Sequence, residues 1–232
     1  MRVAERYGVR LMVFALALTL VAIPFGFLLD QVIREGPAME VDTWAANHLH
    51  EMVRDSPNVV HALQVVSLLG KPPFLAFVCI VVGIFLLWRG RIHLTIYLVA
   101  TTLLGGLIDT WVKLAVGRER PSLEDPVASA AGASFPSGHA MSATVAYGAL
   151  LLILLPLVPA ARRRLAIGAT VGLVVLIGFT RLALGVHYIT DVLGGFALGA
   201  AWLALTTAAF EIWREERGLR RTEPLEEGVG AV

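Results

Sequence analysis

The chain has 232 residues, 57% of them hydrophobic, and a formal net charge of +1. Its mean hydropathy is +0.74. A water-soluble domain of this size needs more polar surface and a nucleic-acid binder needs a basic stripe, so composition excludes both in favour of one membrane-embedded domain. The single cysteine, Cys79, sits inside an apolar run and has no partner for an internal disulfide.

Residues 1–10 are basic and residues 11–29 are apolar. That run is too long for the hydrophobic region of a signal peptide and no small-x-small site follows it, which predicts an uncleaved first span, kinked at Pro24. In VDTWAANHLHEMV, Val41, Trp44, Ala45, Leu49, Met52 and Val53 recur at helical spacing between charges, the pattern of a helix lying in the membrane interface. His48 and His50, two residues apart, diverge on such a helix, so a solvated face is expected there and not a metal site. PNVVHALQVVSLLG, 57–70, predicts a second, more apolar helix, too short to span and stopped by Gly70 and Pro72–Pro73. It either packs against the bundle or re-enters the membrane. Apolar segments then cover about 73–88, 92–112, 138–158, 165–185 and 188–213. With the first run they make an all-α, six-transmembrane-helix bundle, with additional interfacial helices at about 41–70 between spans 1 and 2. No period-two pattern competes with this reading, so a β-barrel is not expected. Residues 214–232 read as a cytoplasmic tail without fixed structure.

With the N-terminus in the cytoplasm, twelve of the nineteen lysines and arginines fall inside and seven outside. That asymmetry favours this orientation under the positive-inside rule, with Arg162–Arg163–Arg164 as a topology anchor. It places three polar stretches at the outer ends of the spans: KLAVGRERP (113–121), PSGH (136–139) and RLALGVHYITD (181–191).

Lys113 and Arg120 are seven apart and project to one side if the segment stays helical up to Pro121. Ser137 is a good N-cap for the fourth span, and Gly138 lets an anion approach the backbone N–H groups. Arg181 adds a planar fork matched to phosphate oxygens. Three permanent cations and a ring of N–H donors suit a multiply charged oxyanion such as a phosphomonoester. Carboxylates are scarce there, so the cations take the place of a divalent metal, and no cofactor is expected. His187 and Asp191, at i and i+4, share a face of the sixth helix, where the aspartate accepts from Nδ1–H and leaves Nε2 free to attack phosphorus. His139, from another span, serves as general acid and then activates water. Asp109, one turn before Lys113, is expected to be its ion-pair partner.

Lys113-x6-Arg120-Pro121, Pro136-Ser137-Gly138-His139 and Arg181-x5-His187-x3-Asp191 together resemble the tripartite signature of the type 2 phosphatidic acid phosphatases (PAP2), integral-membrane lipid phosphatases that share it with vanadium haloperoxidases. The resemblance covers roughly residues 60–210 and implies a single domain over 1–213. It implies a metal-independent phosphatase with His187 as nucleophile, Asp191 as its partner and His139 as the acid. Lys113, Arg120, Ser137, Gly138 and Arg181 would bind phosphate. One departure is Thr180, where the family usually has serine. Family substrates include phosphatidic acid, phosphatidylglycerophosphate and undecaprenyl diphosphate, so the expected partners are a lipid phosphate and the cell membrane, not nucleic acid. The same residues also suit phosphotransfer to a hydroxyl. An anion transporter is disfavoured because the polar residues gather at one face and not at the midplane.

Gly195 and Gly199 form a small-xxx-small pair that predicts close packing of the sixth span. The polar stretch 122–134 is either a lid or a connector, with the connector favoured.

Overall fold

The computed structural model describes residue 19, residues 22–123 and residues 126–217. All regular elements among them are helical. They are α1 (Ala22–Ile33), then α2 (Ala38–Arg54), α3 (Pro57–Leu68), α4 (Pro72–Trp88), α5 (Ile92–Val116), α6 (Gly138–Leu154), α7 (Ala160–Ala183) and α8 (Ile189–Glu216), with a 3-10 turn at Leu155–Leu157. Four helices are long and apolar enough to cross a membrane: α5, α6 with its 3-10 extension, α7 and α8. At 1.5 Å per residue the 25 residues of α5 reach about 37 Å, more than the roughly 30 Å of a hydrocarbon core. The helices α3 and α4 qualify only as a pair, bent by 42° at the Leu69–Lys71 break. The 57–70 helix and 73–88 span of the sequence reading are thus α3 and α4, joined at this bend as either a broken span or a re-entrant pair. Most of the expected first span, and the tail from 218 onward, lie outside the described residues, so the described bundle contains four spans, or five if the bent pair is one.

The helix α6 is the hub and packs on α4, α5, α7 and α8. Its inward positions are largely small, including Ala140, Ala143, Ala146 and Ala149, which lets neighbouring backbones come close. The partner glycines are on α8. A Cβ at Gly195 would stand 2.6 Å from the Ser137 carbonyl oxygen, and one at Gly199 would stand 3.0 Å from that of Met141. Outward positions such as Phe77, Ile84, Leu103, Leu107, Trp111, Val171 and Val175 are large, apolar and exposed. Water would penalise that exterior and lipid tails would not, so the chain is an integral membrane protein.

One expectation changes at the interfacial helix. Along α2 the exposed residues include Val41, Trp44 and Met52, while Asp42, Ala45, Ala46 and His50 are buried. His50 therefore does not lie on a solvated face. The helix turns its acidic residue Asp42 inward because cationic and hydroxyl partners wait there.

Candidate active site

The three polar stretches gather at one end of the bundle. The helix α5 stops at Val116 because Gly117 takes a left-handed conformation, φ +64°, and closes the last turn by donating to the Lys113 carbonyl. Arg120 is thus on irregular chain, not one helical face with Lys113 as the spacing suggested. The chain bends at Gly117, so the two cations enter the site from different directions.

Lys113 Nζ donates to both Asp109 carboxylate oxygens, at 2.6 and 2.7 Å, and to the Pro136 carbonyl at 2.7 Å. This is the ion pair expected from the sequence, and it also ties α5 to the segment leading into α6. Gly138 is pressed against the pair: a Cβ there would lie 3.1 Å from Asp109 Oδ2 and 3.2 Å from Lys113 Nζ. Ser137 occupies the N-cap position of α6 but makes no side-chain cap bond. Its backbone N–H instead donates to the Asp191 carbonyl at 2.9 Å, and its Oγ is buried without a partner.

Arg120 uses all five N–H groups. Four go to the carbonyls of Ala131, Gly132, Ala133 and Val186, and the fifth reaches His187 Nε2 at 3.1 Å. A guanidinium has no acceptor, so Nε2 must carry the lone pair and Nδ1 the proton. Nδ1–H lies 3.3 Å from Asp191 Oδ2. The expected pairing is present, but not on a shared helical face. His187 sits in the Leu184–Tyr188 turn before α8, and Asp191 is in its first turn, where Oδ2 also accepts the Tyr188 N–H at 2.8 Å. The carboxylate is held as a helix cap and orients the imidazole from that position. Burial in low dielectric lowers the His187 pKa from its ordinary value to about 4, against the opposing pull of Asp191, so the ring is neutral at neutral pH.

Arg181 is buried and donates from Nη1 to Ser67 Oγ at 2.5 Å, while its Nε has no partner. His139 Nε2 is likewise buried and unpartnered. His139 lies within electrostatic reach of Arg181, His187, Lys71 and Arg120. Thr180 spends its hydroxyl on the Ile177 carbonyl of its own helix, 2.6 Å away. Buried polar groups normally find partners, so Ser137 Oγ, His139 Nε2 and Arg181 Nε stand out among the predicted residues as buried groups with no partner among the described residues.

Sequence reasoning missed Ser134, Arg118, Asp42 and Ser67 as contributors. Ser134 Oγ donates to Asp191 Oδ2 at 2.5 Å and stands 3.3 Å from His187 Nδ1. Arg118 is buried and donates to Asp191 Oδ1 at 2.6 Å, Thr190 Oγ1 at 2.7 Å and Asp42 Oδ2 at 2.8 Å. Ser67 braces Arg181 from the α3 end. Only Arg118 carried a signal, as a cation close to a motif yet outside its spacing. Of the stretch 122–134, the described Val127 accepts from Gln64 at 3.3 Å and residues 131–133 are held by Arg120. That suits a connector better than a lid.

Below the site, a cavity of about 400 Å³ lies between α4, α5 and α6, lined by residues including Leu75, Cys79, Leu103, Gly106, Met141 and Val145.

Residues 94–215, slightly more than half the chain, match the family model of the PAP2 superfamily, and the chain belongs to that family. It is 34% identical over 139 residues to phosphatidylglycerophosphatase B of Bacillus subtilis, a match covering 56% of this chain and 65% of that protein. It is 37% identical over 122 residues to lipid A 1-phosphatase of Rhizobium etli, covering 48% of each. The chain thus spans between about half and just under two thirds of the curated relatives it matches. The solved structure of a transmembrane PAP2-type phosphatidylglycerolphosphate phosphatase from Bacillus subtilis superposes with a TM-score of 0.77 at 24% identity, covering 84% of this chain and 96% of that one.

Proposed function

We propose that the chain is a lipid phosphatase that hydrolyses a phosphomonoester or diphosphate of a membrane lipid through a phosphohistidine. The observation that carries this reading is the orientation of His187: Nδ1–H toward Asp191 and the Nε2 lone pair toward Arg120, beside unpartnered Ser137 Oγ, His139 Nε2 and Arg181 Nε. Nε2 attacks phosphorus as the bond to the leaving oxygen breaks, and His139 gives that oxygen a proton. The Arg120 N–H that covered Nε2 passes to a phosphoryl oxygen. His139 then takes a proton from water, which attacks phosphorus, breaks the P–N bond and releases phosphate. Fixed cations and N–H donors stabilise the charge spread over the equatorial oxygens.

The buried carboxylates Asp42 and Asp191 and the half-buried Asp109 are all committed to cations. This supports a reaction in which arginine and lysine supply the positive charge. The apolar cavity beneath the site supports a substrate with an acyl or isoprenoid chain, and the named relatives support a lipid phosphate. Residues 1–213 form one domain, with most of the expected first span at 11–29 outside the described residues. Both termini are cytoplasmic and the site faces the extracytoplasmic side of the cell membrane; the distribution of lysine and arginine supports this orientation.

The test is phosphate release by the purified protein from phosphatidic acid, phosphatidylglycerophosphate and undecaprenyl diphosphate in mixed micelles, with His187→Ala beside it. Release from at least one lipid by the wild type alone is expected. No release from any of them, or equal release by the variant, overturns the reading.

A further inference from the structure

The contacts around Asp191 extend past the three motifs to α2, a helix that supplies no residue to any of them. Asp191 has two carboxylate oxygens with different duties. Oδ2 takes the Tyr188 N–H and Ser134 Oγ–H and faces His187, while Oδ1 takes Arg118 Nη1 at 2.6 Å. Arg118 then reaches Asp42 of α2 through Nη2 at 2.8 Å. Asp42 closes the loop by accepting the Thr190 N–H at 3.0 Å through Oδ1 and the Thr190 hydroxyl through Oδ2. The side chains are almost wholly buried: 6% exposed for Arg118, 1% for Asp42 and none for Asp191. The guanidinium also lies 4.2 Å from the Tyr188 ring centroid, which fixes its plane.

We propose that Arg118 and Asp42 are positioning residues for the nucleophile: Arg118 divides one positive charge between Asp191 and Asp42, and that division sets how strongly Asp191 holds the His187 Nδ1–H. The proposal rests on the reading of His187 as nucleophile, but its physical content is a charge balance that is measurable apart from turnover. Burial makes the balance effective, because at low dielectric a charge one residue away changes proton affinity far more than it does in water. The other charged or titratable groups facing the imidazole and its partner are Arg120 from the irregular segment, Arg181 of α7, His139 of α6 and Lys113 of α5, with Tyr188 and Glu119 flanking Arg118. None of these is altered by substitutions at 42 and 118.

Coulomb's law then orders four proteins. In Asp42→Asn the whole charge of Arg118 falls on Asp191, which holds its histidine less tightly. In Arg118→Gln the remaining charge near Asp191 is the negative Asp42, which favours a proton on His187. The double variant D42N/R118Q removes both charges and leaves a neutral amide at each position, so it lies between Arg118→Gln and the wild type. The order of His187 proton affinity is R118Q, then D42N/R118Q, then wild type, then D42N.

The experiment is histidine NMR titration of the full chain, ¹⁵N-labelled, in detergent micelles, with His187→Ala identifying the resonance, together with kcat and KM on the lipid that the wild type hydrolyses. The expected result is that order of midpoints, with steps of about half a pH unit or more. Expected too is a fall in kcat of about tenfold in D42N with KM within about twofold. Arg118→Gln leaves a buried carboxylate uncompensated; if it fails to fold, the neutral double variant against wild type and D42N still gives three points. Coincident midpoints in folded variants, or the reverse order, overturn the proposal whether or not the wild type is active. An inactive wild type with ordered midpoints overturns the phosphatase reading and leaves the charge balance standing.

Discussion

Arg120 Nη1 stands 3.1 Å from His187 Nε2 and donates to it, so the lone pair assigned to attack is covered by the same group assigned to hold the phosphate. The remaining four donors of Arg120 are fixed on carbonyls of 131–133 and 186, which leaves one N–H to change partner as substrate arrives. Arg120→Lys keeps the charge and loses the fork. The expected cost is about 10²–10³-fold in kcat/KM, with a lowered Tm because the 131–133 carbonyls lose their donors. Steady-state kinetics and thermal unfolding of the same preparation check both.

The pH dependence follows from the His187 pKa of about 4. Its folded value lies below the unfolded value of about 6.5. Between those values the unfolded chain binds a proton that the native ring refuses. The stabilising contribution of the neutral ring is therefore complete above about pH 6.5 and is lost as pH falls toward 4. For activity, the acid limb of kcat/KM, with the substrate phosphate's own titration divided out, is expected near 4. A limb near 6.5 would show that the ring is not desolvated.

Lys113 and Asp109 stabilise each other, and removing one partner strands the other in a poorly solvated place. Lys113→Ala is expected to cost about 3 kcal/mol, and Lys113→Ala with Asp109→Ala to recover a large part of that stability but not activity. A double-mutant cycle by thermal unfolding measures the coupling.

Glycines on two helices predict opposite signs. Gly195→Ala places a methyl 2.6 Å from the Ser137 carbonyl and forces α8 away from α6; about 1–3 kcal/mol of stability and most of the activity are expected to go. Gly172→Ala on α7 meets nothing within 4 Å and gains roughly 0.5–1 kcal/mol from helix propensity, with activity unchanged. Thermal unfolding of the two variants side by side distinguishes packing from propensity.

If the committed cations supply the charge, phosphate release persists in EDTA and is inhibited by vanadate. Loss in EDTA that Mg²⁺ restores would refute that charge assignment.

Much of the bundle was legible because lipid imposes a simple pattern. The runs that became α5, α6, α7 and α8 are long, apolar and bounded by charge, and the 92–112, 138–158, 165–185 and 188–213 predictions match them to within a few residues. The 73–88 prediction coincides with α4, but the bend that joins it to α3 was not readable, because Gly70 and Pro72–Pro73 mark a stop and say nothing of the angle at which the chain resumes. In the site, the pairings of Lys113 with Asp109 and of His187 with Asp191 were readable from i, i+4 spacing. The backbone beneath them was not: Gly117 ends α5 before Arg120, and His187 lies in a turn and not on α8. Asp42, Ser67 and Ser134 were invisible because each acts through a contact more than fifty residues away in sequence, and a lone polar residue on an amphipathic segment reads as surface.

The placement of His187 on a turn has a consequence for biogenesis. A histidine on a rigid helix would be aimed as soon as that helix formed. This one takes its direction from its near neighbour Asp191 and from Arg120 and Ser134, more than fifty residues earlier in the chain, so its ring is aimed only once the last helix has met the segment before α6.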